Sequence, residues 1–325
     1  MSLTVSVAMA TFNGELHVAK QVESILGQSL LPAELVVADD GSGDRTLEIV
    51  RNVYARHPDT TVELRILPPA GHLGIARNFE RAIHAAQSDL IALSDQDDSW
   101  HSDRLAQSVP SFEFEPQLLL QHSDARLVDA QGSPLGISLF EALRVTAEER
   151  ALIGAGNAFF SYLRRNIVTG ATVLIRRGLL AFASPFPDGW VHDEWLAIVA
   201  SAVGKVELLD AQLIDYRQHS ANVIGVTAPT LRYKIERMLE PRGDRYVQLA
   251  SRARSMVDRF EMLEPSTSVL EAAREKSRFE SSRAGLSVNR LNRLTTILSE
   301  RRHGSYRRLS SQGNLDVLRD MLQPR

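Results

Sequence analysis

The amino-acid sequence predicts an α/β protein with a Rossmann-like, mostly parallel sheet, flanking helices and a helical C-terminal region. Over the first hundred residues, short apolar and β-branched runs alternate with segments of helical periodicity, which is the βαβ pattern of a parallel sheet. Polar residues follow several of these runs directly, and beyond Leu231 only helical periodicity is found. We therefore expect two domains, residues 1–228 and residues 229–325.

Each element of the sheet domain has its own sequence signal. Apolar and β-branched residues predict the first four strands at 3–8, 34–38, 62–67 and 90–93. Apolar positions at helical spacing predict helices between them at 18–26, 46–55 and 75–86. Further strands are predicted at 117–122, 168–175, 206–209 and 213–216, with a helix at 191–203. The segment 129–166 mixes Gly, Ser and aromatic residues, which favours a lid or an acceptor-binding loop.

The composition is typical of a soluble globular protein, with 44% hydrophobic and 24% charged residues among 325. No apolar run is long enough to cross a bilayer, and the strand pattern that begins near Leu3 leaves no room for a signal peptide. The absence of cysteine excludes disulfides and thiolate metal sites. Together these features favour a cytoplasmic protein.

Charge is distributed unevenly along the chain. From residue 251 to the last residue, 15 Lys and Arg stand against 9 Asp and Glu, a balance of +6. Because the whole chain carries −3, residues 1–250 carry −9. The acidic part suits a cation site, and the basic part suits an anionic partner.

An acidic cluster follows the fourth predicted strand directly. Asp95, Asp97 and Asp98 lie within four positions, where their charges repel one another unless a cation binds among them. Asp95 and Asp97 are two residues apart and can both turn toward one hard divalent ion, which prefers oxygen ligands. The alternative is a solvated acidic turn that caps a helix beginning near His101.

Two nucleotide-binding motifs are absent from the sequence. A dinucleotide-binding fold would have G-x-G-x-x-G after the first strand, where this chain has Ala-Thr-Phe-Asn-Gly-Glu at 10–15. The P-loop pattern G-x-x-x-x-G-K-[ST] does not occur either. These absences argue against nicotinamide or flavin enzymes and against P-loop nucleotide hydrolases.

Five motifs occur in order between residues 3 and 225. They are 10–15, Ala-Asp-Asp-Gly-Ser-Gly-Asp at 38–44, Gly74 with Asn78 and Phe79, Ser-Asp-Gln-Asp-Asp at 94–98, and His-Asp-Glu-Trp at 192–195. In this order and spacing they resemble the family 2 glycosyltransferases, which have the GT-A fold. Tyr-Arg-Gln-His at 216–219, followed by Asn222 and Gly225, resembles the bacterial branch that includes rhamnosyltransferases of surface polysaccharide assembly. Ala10 and Phe12 depart from the Pro and Tyr that the family often has.

The resemblance implies an enzyme that uses a nucleotide-sugar donor with Mg2+ or Mn2+ and inverts the sugar carbon in a single displacement. It assigns the general base to Asp193 and the metal to Asp95 and Asp97, with Asp97 as the more direct ligand. The nucleotide pocket that it implies comprises Thr11, Phe12, Asn13, Glu15, Asp39, Asp40, Asn78 and Asp95. Further diphosphate or acceptor contacts are expected from Arg77, Asp98, Trp100, Glu194, Trp195 and Arg217.

Other interpretations of these residues remain open. A neutral imidazole suits Mn2+, so His219 is a candidate third metal ligand or phosphate contact, although a lone histidine near a strand end is more often structural. Asp39 and Asp40 precede Gly41 and could be turn formers. Asp193 could be a helix N-terminal charge that the helix dipole favours.

The basic C-terminal region has two interpretations. Arginines alternate there with apolar residues, namely Arg290, Arg293, Arg301, Arg302, Arg307 and Arg308 among Leu291, Leu294, Ile297, Leu298 and Leu309. Such a segment could lie peripherally on the inner face of the cell membrane, because basic amphipathic helices bind anionic lipid. It could equally be a helical domain or a homodimer contact. Nucleic-acid binding is not expected, because no recognition module is found and the body of the chain is acidic.

The predicted function is transfer of rhamnose from dTDP-rhamnose to a polysaccharide or lipid-linked saccharide acceptor in cell-surface glycan synthesis, such as O-antigen or capsule. A UDP-sugar donor, such as UDP-glucose or UDP-galactose, is the alternative. A sugar nucleotidyltransferase is less favoured because residues 11–15 lack the Gly-rich basic loop of such enzymes. A non-catalytic nucleotide-binding scaffold is disfavoured by the presence of Asp95, Asp97 and Asp193.

Overall fold

A computed structural model describes residues 2–218 and 243–324 of the chain. The described residues form two compact units. The first comprises residues 2–158, 167–186 and 191–218, and the second comprises 159–166, 187–190 and 243–324. The predicted domain boundary at residue 228 lies outside the described residues.

A nine-stranded sheet organises the first unit. Its strands are β1 (Val5–Thr11), β2 (Glu34–Asp39), β3 (Glu63–Ile66), β4 (Leu90–Ser94), β5 (Ser99–Trp100), β6 (Leu118–Val128), β7 (Pro134–Ser138), β8 (Val173–Arg176) and β9 (Lys205–Arg217). The strand order is β3-β2-β1-β4-β8-β6-β9-β5, and β7 pairs with β6. Strands β1 to β4 are mutually parallel, whereas β8 runs antiparallel to both of its neighbours.

Helices flank this sheet, and its central strands are buried on both sides. The helices are α1 (Val18–Leu26), α2 (Thr46–Ala55), α3 (Ile75–Ala85), α4 (Arg104–Phe114), α5 (Leu139–Ala142), α6 (Ala147–Gly154), α8 (Leu180–Ala183) and α9 (His192–Val203). All residues of β2 and β4 are buried. Continuous apolar strands of this kind are typical of parallel sheets covered on both faces.

The fold class predicted from the sequence is confirmed, with differences in detail. The segments 206–209 and 213–216 form one strand, β9, because the register against β6 shifts between Ser123 and Asp124 and lets two residues bulge out. Strand β8 begins only at Val173, after a 3-10 turn at Gly170–Thr172. The segment 129–166 is not an irregular loop, because it contains β7, α5, α6 and α7 (Ala158–Arg164).

The sheet is curled, and the acidic cluster links two distant positions in it. Strand β4 ends at Ser94 and β5 begins at Ser99, yet three strands lie between them in the sheet order. In a flat sheet, four steps between neighbouring strands would separate them by about 19 Å. Five residues of extended chain reach only about 17 Å. Residues 95–98 therefore bridge two parts of the sheet that the curl brings together.

The second unit is helical in its C-terminal part. Its helices there are α10 (Arg245–Leu263), α11 (Thr267–Ala284), α12 (Arg290–Arg302), α13 (Ser305–Leu309) and α14 (Asn314–Leu322). Pro265 and Gly304, residues that commonly interrupt helices, fall between these helices, and Pro241 lies outside the described residues. No helix in the described parts of the chain is both long and apolar enough to cross a membrane.

A buried ionic cluster lies among the C-terminal helices. Arg283 donates two hydrogen bonds to Asp320, at 2.8 and 3.2 Å, and the hydroxyl groups of Tyr246 and Tyr306 each donate one to the same carboxylate at 2.7 Å. Glu280 accepts from Arg283 at 3.3 Å and pairs with Lys276 at 2.7 Å. Every oxygen of the Asp320 carboxylate therefore faces donors, which is the condition for burying it at low cost.

Candidate active site

The acidic loop after β4 is the first component of the site. Asp98 is buried, and its Oδ1 accepts a hydrogen bond from the Arg217 amide at 3.0 Å. Its Oδ2 has no hydrogen-bond partner among the residues that the structure describes. Burial, together with the charges of Asp97 and Asp95, raises the pKa of Asp98 well above its ordinary value. The hydrogen bond from the Arg217 amide therefore does not balance the negative charge of Asp98 and its neighbours.

Asp95 is in the same situation. Burial, together with the charges of Asp97 and Asp193, raises its pKa to about 7. The carboxylate of Asp193, almost one hundred residues away in sequence, therefore lies within electrostatic reach of the loop. The structure brings the predicted base and the predicted metal ligands to one place.

Asp193 is held at the start of α9 by backbone donors. The Gly170 amide donates to its Oδ2 at 2.9 Å, and the Glu194 amide donates to its Oδ1 at 2.6 Å. Beside it, the His192 ring stacks on Phe79 with 3.9 Å between ring centroids. Burial lowers the pKa of His192 to about 3, so this ring is neutral and acts as a packed support for the helix start.

Tyr216, near the end of β9, lies among all four carboxylates. Burial raises its pKa, and Asp95, Asp98, Asp97 and Asp193 each raise it further. The side chain is 9% exposed, so the ring is a buried neutral wall of the acidic site. Its position at the end of β9 follows from the parallel pairing of β9 with β6.

Besides Arg217, whose guanidinium donates to the Asp97 carbonyl, Arg104 is a buried cation close to the acidic loop. The Arg104 guanidinium stacks on Trp100 at 3.8 Å from the ring centroid, and it forms no ion pair within 4 Å with a described carboxylate. Burial lowers its pKa to about 9, and the charges of Asp98 and Asp95 offset this only in part. Arg104 therefore reduces the negative charge of the site without cancelling it.

The residues present fit a divalent cation whose coordination is completed by substrate oxygen atoms. The raised pKa values of Asp95 and Asp98 and the unpartnered Asp98 Oδ2 indicate negative charge that a cation would stabilise. Among residues 2–218 and 243–324, no three carboxylate or imidazole groups form a preformed metal site. Mg2+ is commonly held by one or two carboxylates together with substrate phosphates, which matches this arrangement. His219 lies outside the described residues.

Asp39 and Asp40, at the end of β2, organise the loops around them. Asp39 accepts hydrogen bonds from the amides of Gly41 and Ser42 and from the hydroxyls of Ser42 and Thr11, at 2.6 to 3.1 Å. Asp40 accepts from the amides of Leu73 and Gly74 at 2.6 and 2.9 Å. These contacts correspond to the turn-forming alternative, and they shape the edge of the sheet beside the acidic loop.

An exposed aromatic pair lies at the same edge. Phe12 is 44% exposed, and its ring centroid lies 4.9 Å from that of His72. The His72 Nδ1 lies 2.9 Å from Asp40 Oδ2, which fixes the imidazole beside Phe12. Gln96 clamps the Phe12 backbone, since its Oε1 accepts from the Phe12 amide and its Nε2 donates to the Phe12 carbonyl, both at 2.9 Å. Two ring faces are thereby presented to solvent beside the acidic loop.

The remaining predicted nucleotide contacts take part in loop and helix structure. Asn13 accepts from the Gly43 amide at 2.9 Å, and Glu15 pairs with Arg45 at 3.4 Å. Asn78 is buried and donates to the Ala38 carbonyl at 2.7 Å. Arg77, on α3, pairs with Glu80 at 2.7 Å rather than with a residue of the acidic loop.

The predicted contacts near the base and the loop differ in position. Trp195 is fully buried and donates from its indole to the Ala183 carbonyl at 2.7 Å, so the structure does not bring it to the surface of the site. Trp100 is buried against Arg104. Arg217 braces the loop, donating to the Asp97 carbonyl at 2.8 Å and to the Ala130 carbonyl at 2.9 Å. Glu194 is half-buried next to Asp193.

Several residues of this site had no role in the sequence prediction. They are Gln96, His72, Arg104, Gly170 and Tyr216. Gln96 and Tyr216 lie inside the quoted motifs, which was the available signal for them. Gly170 and Arg104 act through contacts with residues distant in sequence or through burial, and neither has a local sequence signal.

Comparison with known proteins shows the family of the chain. Residues 6–180 match the model of the family described as Glycosyl transferase family 2. Over 110 residues the chain is 34% identical to the dTDP-rhamnosyl transferase RfbG of Shigella flexneri, covering 33% of this chain and 37% of that protein. Over 131 residues it is 30% identical to an uncharacterized glycosyltransferase of Haemophilus influenzae, covering 40% and 50% respectively. The chain thus spans half or less of the length of these two relatives.

Solved structures share the fold. S. aureus TarS 1-349 in complex with UDP-GlcNAc superposes with a TM-score of 0.54 at 15% identity, covering 98% of this chain and 90% of that one. The mannosyltransferase PcManGT from Pyrobaculum calidifontis, in complex with GDP-Man and Mn2+, gives a TM-score of 0.50 at 18% identity, covering 94% and 77%. At these identities the likeness shows the fold alone.

Proposed function

Because the chain belongs to glycosyl transferase family 2, we propose that it is an inverting, metal-dependent glycosyltransferase that uses a nucleotide-sugar donor. The observation that carries this proposal is the convergence of the acidic loop with Asp193. Three carboxylates follow β4, and the fourth is held by Gly170 within electrostatic reach of Asp95. One part of the site suits a cation and a diphosphate, and the other offers a single base.

In the proposed mechanism Asp193 accepts the proton of the acceptor hydroxyl as that oxygen attacks the sugar carbon. A positioned base of this kind contributes roughly 10²–10⁴-fold in rate. The Gly170 amide orients its carboxylate, and the neutral His192 ring supports the helix start from which it projects. A base that acts on the acceptor hydroxyl corresponds to one displacement with inversion at the sugar carbon.

Asp95 and Asp97 would hold Mg2+ or Mn2+. Asp98 is buried and would lie behind these two ligands. When bound, the ion would stabilise the negative charge that develops on the leaving diphosphate. Mn2+ is present with GDP-Man in PcManGT, which supports a divalent cation in this fold. The role of Arg217 in this proposal is to brace the loop through the Asp97 carbonyl.

The nucleoside is proposed to bind beside Phe12 and His72. An exposed ring of Phe12 offers a stacking surface, and the loops built by Asp39 and Asp40 form the edge next to it. Thr11, Asn13, Glu15 and Asn78 shape these loops from behind. Stacking on a ring is tolerant of base identity, so hydrogen bonds from this edge would decide the preference.

The proposed donor is dTDP-rhamnose, and the proposed acceptor is a polysaccharide or a lipid-linked saccharide of a cell-surface glycan. The dTDP-rhamnosyl transferase RfbG, 34% identical over 110 residues, supports this donor. UDP-sugars are the alternative, supported by UDP-GlcNAc in S. aureus TarS. Such a reaction would take place in the cytoplasm or at the inner face of the cell membrane.

The test is thermal stabilisation by dTDP, UDP and GDP, each with and without Mn2+. Ligand binding to the folded protein raises its stability with the logarithm of ligand excess, so a weak product still registers. We expect a shift that requires Mn2+, is largest with dTDP, and disappears in Asp97→Asn. Asp59→Asn is the matched control, since Asp59 is an exposed carboxylate after α2.

Each result decides part of the proposal. A larger thermal shift with UDP than with dTDP would indicate that the donor is a UDP-sugar. Equal shifts with and without Mn2+ would remove the metal from the mechanism. A metal-dependent shift without any transfer or hydrolysis of the matching nucleotide sugar would favour the non-catalytic scaffold.

A further inference from the structure

The C-terminal helices present an exposed apolar face with arginines around it. On α14, Leu315, Leu318 and Leu322 recur at helical spacing and are 50%, 47% and 44% exposed. On α12, Leu291 and Leu298 lie seven residues apart on one side and are 73% and 46% exposed. We call these five residues the leucine face. Large apolar side chains grouped this way on a surface mark interaction sites.

The two helices that carry the leucine face are joined side by side. Arg293, on the inner side of α12, is buried and donates to the Gln323 carbonyl at 2.7 Å and to the Asp320 carbonyl at 3.3 Å, at the end of α14. Ile297 on α12 and Val317 on α14 are also buried, whereas the leucines of the leucine face are exposed. Their outer sides therefore belong to one surface.

Exposed charge on this part of the chain has a single sign. Between residues 287 and 324 the exposed charged side chains are arginines, namely Arg290, Arg301, Arg302, Arg307 and Arg308, of which Arg308 is paired with Glu275 on α11 at 2.7 Å. The acids of the same segment are Glu300, which is half-buried, and Asp316 and Asp320, which are buried. Arg319 and Arg283 pair with those two buried acids. The surface is thus apolar and cationic, without exposed acids.

The structure corrects which residues form the amphipathic surface that the sequence suggested. Arg293, Ile297 and Leu309 are buried at 1–2% exposure, so they belong to the interior of the helical unit. The leucines of α14 were not part of the sequence prediction and form much of the exposed apolar surface. The partner must therefore be inferred from the observed face and not from the alternation of Arg and Leu.

We propose that the leucine face and its arginines are a docking surface for a membrane that contains anionic lipid. Arginines at the rim would contact lipid phosphates, and the leucines would enter the boundary between headgroups and acyl chains. A second copy of the chain complements this surface less well. Around a two-fold axis, exposed arginines would face arginines without acids to pair with them.

The experiment is co-sedimentation of the full chain with vesicles of phosphatidylcholine alone and of phosphatidylcholine with 30% phosphatidylglycerol. We expect binding to the anionic vesicles only, with affinity that falls as salt is raised. The Arg301→Gln, Arg302→Gln double variant should bind about 30-fold more weakly, since each arginine near an anionic surface contributes about fivefold.

A second variant tests the apolar half of the surface. Leu318→Gln with Leu322→Gln should weaken binding at least about 10-fold, because two leucines would no longer be buried in lipid. Both side chains are already about half exposed, so the folded state should persist, and circular dichroism checks this. Leu16→Gln with Phe114→Ser is the matched control, because these residues are 84% and 92% exposed in the first unit.

Four results would overturn the proposal. They are equal binding to neutral and anionic vesicles, no binding to either, unchanged binding in both variants, and equal loss in the Leu16 and Phe114 control. If the leucine variant instead abolishes a concentration-dependent dimer seen by sedimentation velocity, the surface belongs to a second copy. Because vesicle binding does not require the donor nucleotide, failure here leaves the proposed transferase function untouched.

Discussion

Two buried arginines show how differently the two units treat charge. In the helical unit, burial lowers the pKa of Arg283, but Asp320 and Glu280 outweigh this and raise it above its ordinary value. In the sheet unit, burial lowers the pKa of Arg104 to about 9, because Asp98 and Asp95 offset burial only in part. Arg283 makes a two-bond contact with a carboxylate, and Arg104 stacks on Trp100 instead.

The difference is the one expected between structural charge and the functional charge that we propose for the acidic loop. The cluster around Asp320 is balanced by the protein's own donors, so it stabilises the packing of helices and needs no ligand. The acidic loop is left with negative charge and raised pKa values, as expected of a site that is completed by a substrate and a cation. Mutations in the two regions should therefore have opposite effects on activity and stability.

The largest expected effect is loss of turnover in Asp193→Asn. The amide keeps the size of the carboxylate but cannot accept the acceptor proton, so kcat should fall roughly 10²–10⁴-fold. The midpoint of thermal unfolding should change little, because the negative charges of this site are not paired with the protein's own cations. Initial rates with a nucleotide-sugar donor measure the effect, with Asp59→Asn as control. A larger loss in Glu194→Gln than in Asp193→Asn would transfer the base to Glu194.

The reverse result is expected for Asp320→Asn. Removing this charge leaves Arg283 buried beside fewer acids and should cost about 3–5 kcal/mol of unfolding free energy. Urea denaturation measures this cost, and Asp258→Asn, an exposed carboxylate on α10, is the control. Activity of the protein that remains folded should be retained. A loss below about 1 kcal/mol would show that the cluster is not the balanced structural element inferred here.

An intermediate effect is expected from Gly170→Ala. A Cβ at this position would lie 2.7 Å from His192 Nε2, and the ring cannot move freely because it stacks on Phe79. We expect about 1–3 kcal/mol of destabilisation and a 10- to 100-fold lower kcat, since the amide that orients Asp193 would shift. Gly178→Ala is the control, because nothing lies within 4 Å of its added Cβ. Unchanged kcat in Gly170→Ala would contradict the positioning role.

The smallest effect concerns a buried histidine outside both charge clusters. Burial, with the nearby charge of Arg150, lowers the pKa of His122 to about 3 from an ordinary 6.5. Between these values the unfolded chain binds a proton and the folded chain does not, so stability falls as pH falls. From pH 6.5 to 5 the loss should be about 1–2 kcal/mol larger than in His122→Gln. Equal pH dependence of stability in the unsubstituted protein and in His122→Gln would contradict this prediction. His303→Gln, at an exposed position, is the control and should leave the pH dependence unchanged.

The sequence was sufficient for the fold class because the strands β1, β2 and β4 are continuous apolar runs with polar ends. It was insufficient for β9, whose bulge against β6 interrupts the apolar pattern without ending the strand. Local periodicity also could not show α5 to α7 within 129–166, where helices are short and partly capped by Ser138 and Thr146.

The site residues also divide into those with a local sequence signal and those that depend on contacts between distant segments. The sequence located the carboxylates, because three acids in four positions after an apolar strand are a local signal. It could not show that Trp195 and Asn78 face inward, since burial depends on packing between distant elements. Nor could it show that Gln96 clamps Phe12, a contact between residues 84 apart in sequence. Contacts that depend on the curl of the sheet have no signature in any single segment.

The bridge between β4 and β5 has a consequence for how such a protein can change. Only residues 95–98 join the two strands, and three of these four residues are carboxylates of the acidic loop, so a deletion or insertion there would move those carboxylates. In the proposed nucleotide site, substitutions at Phe12 or His72 would alter donor preference without changing the length of this link. The acidic link itself is a fixed-length tether, and grafting it between relatives should succeed only when its residue count is preserved.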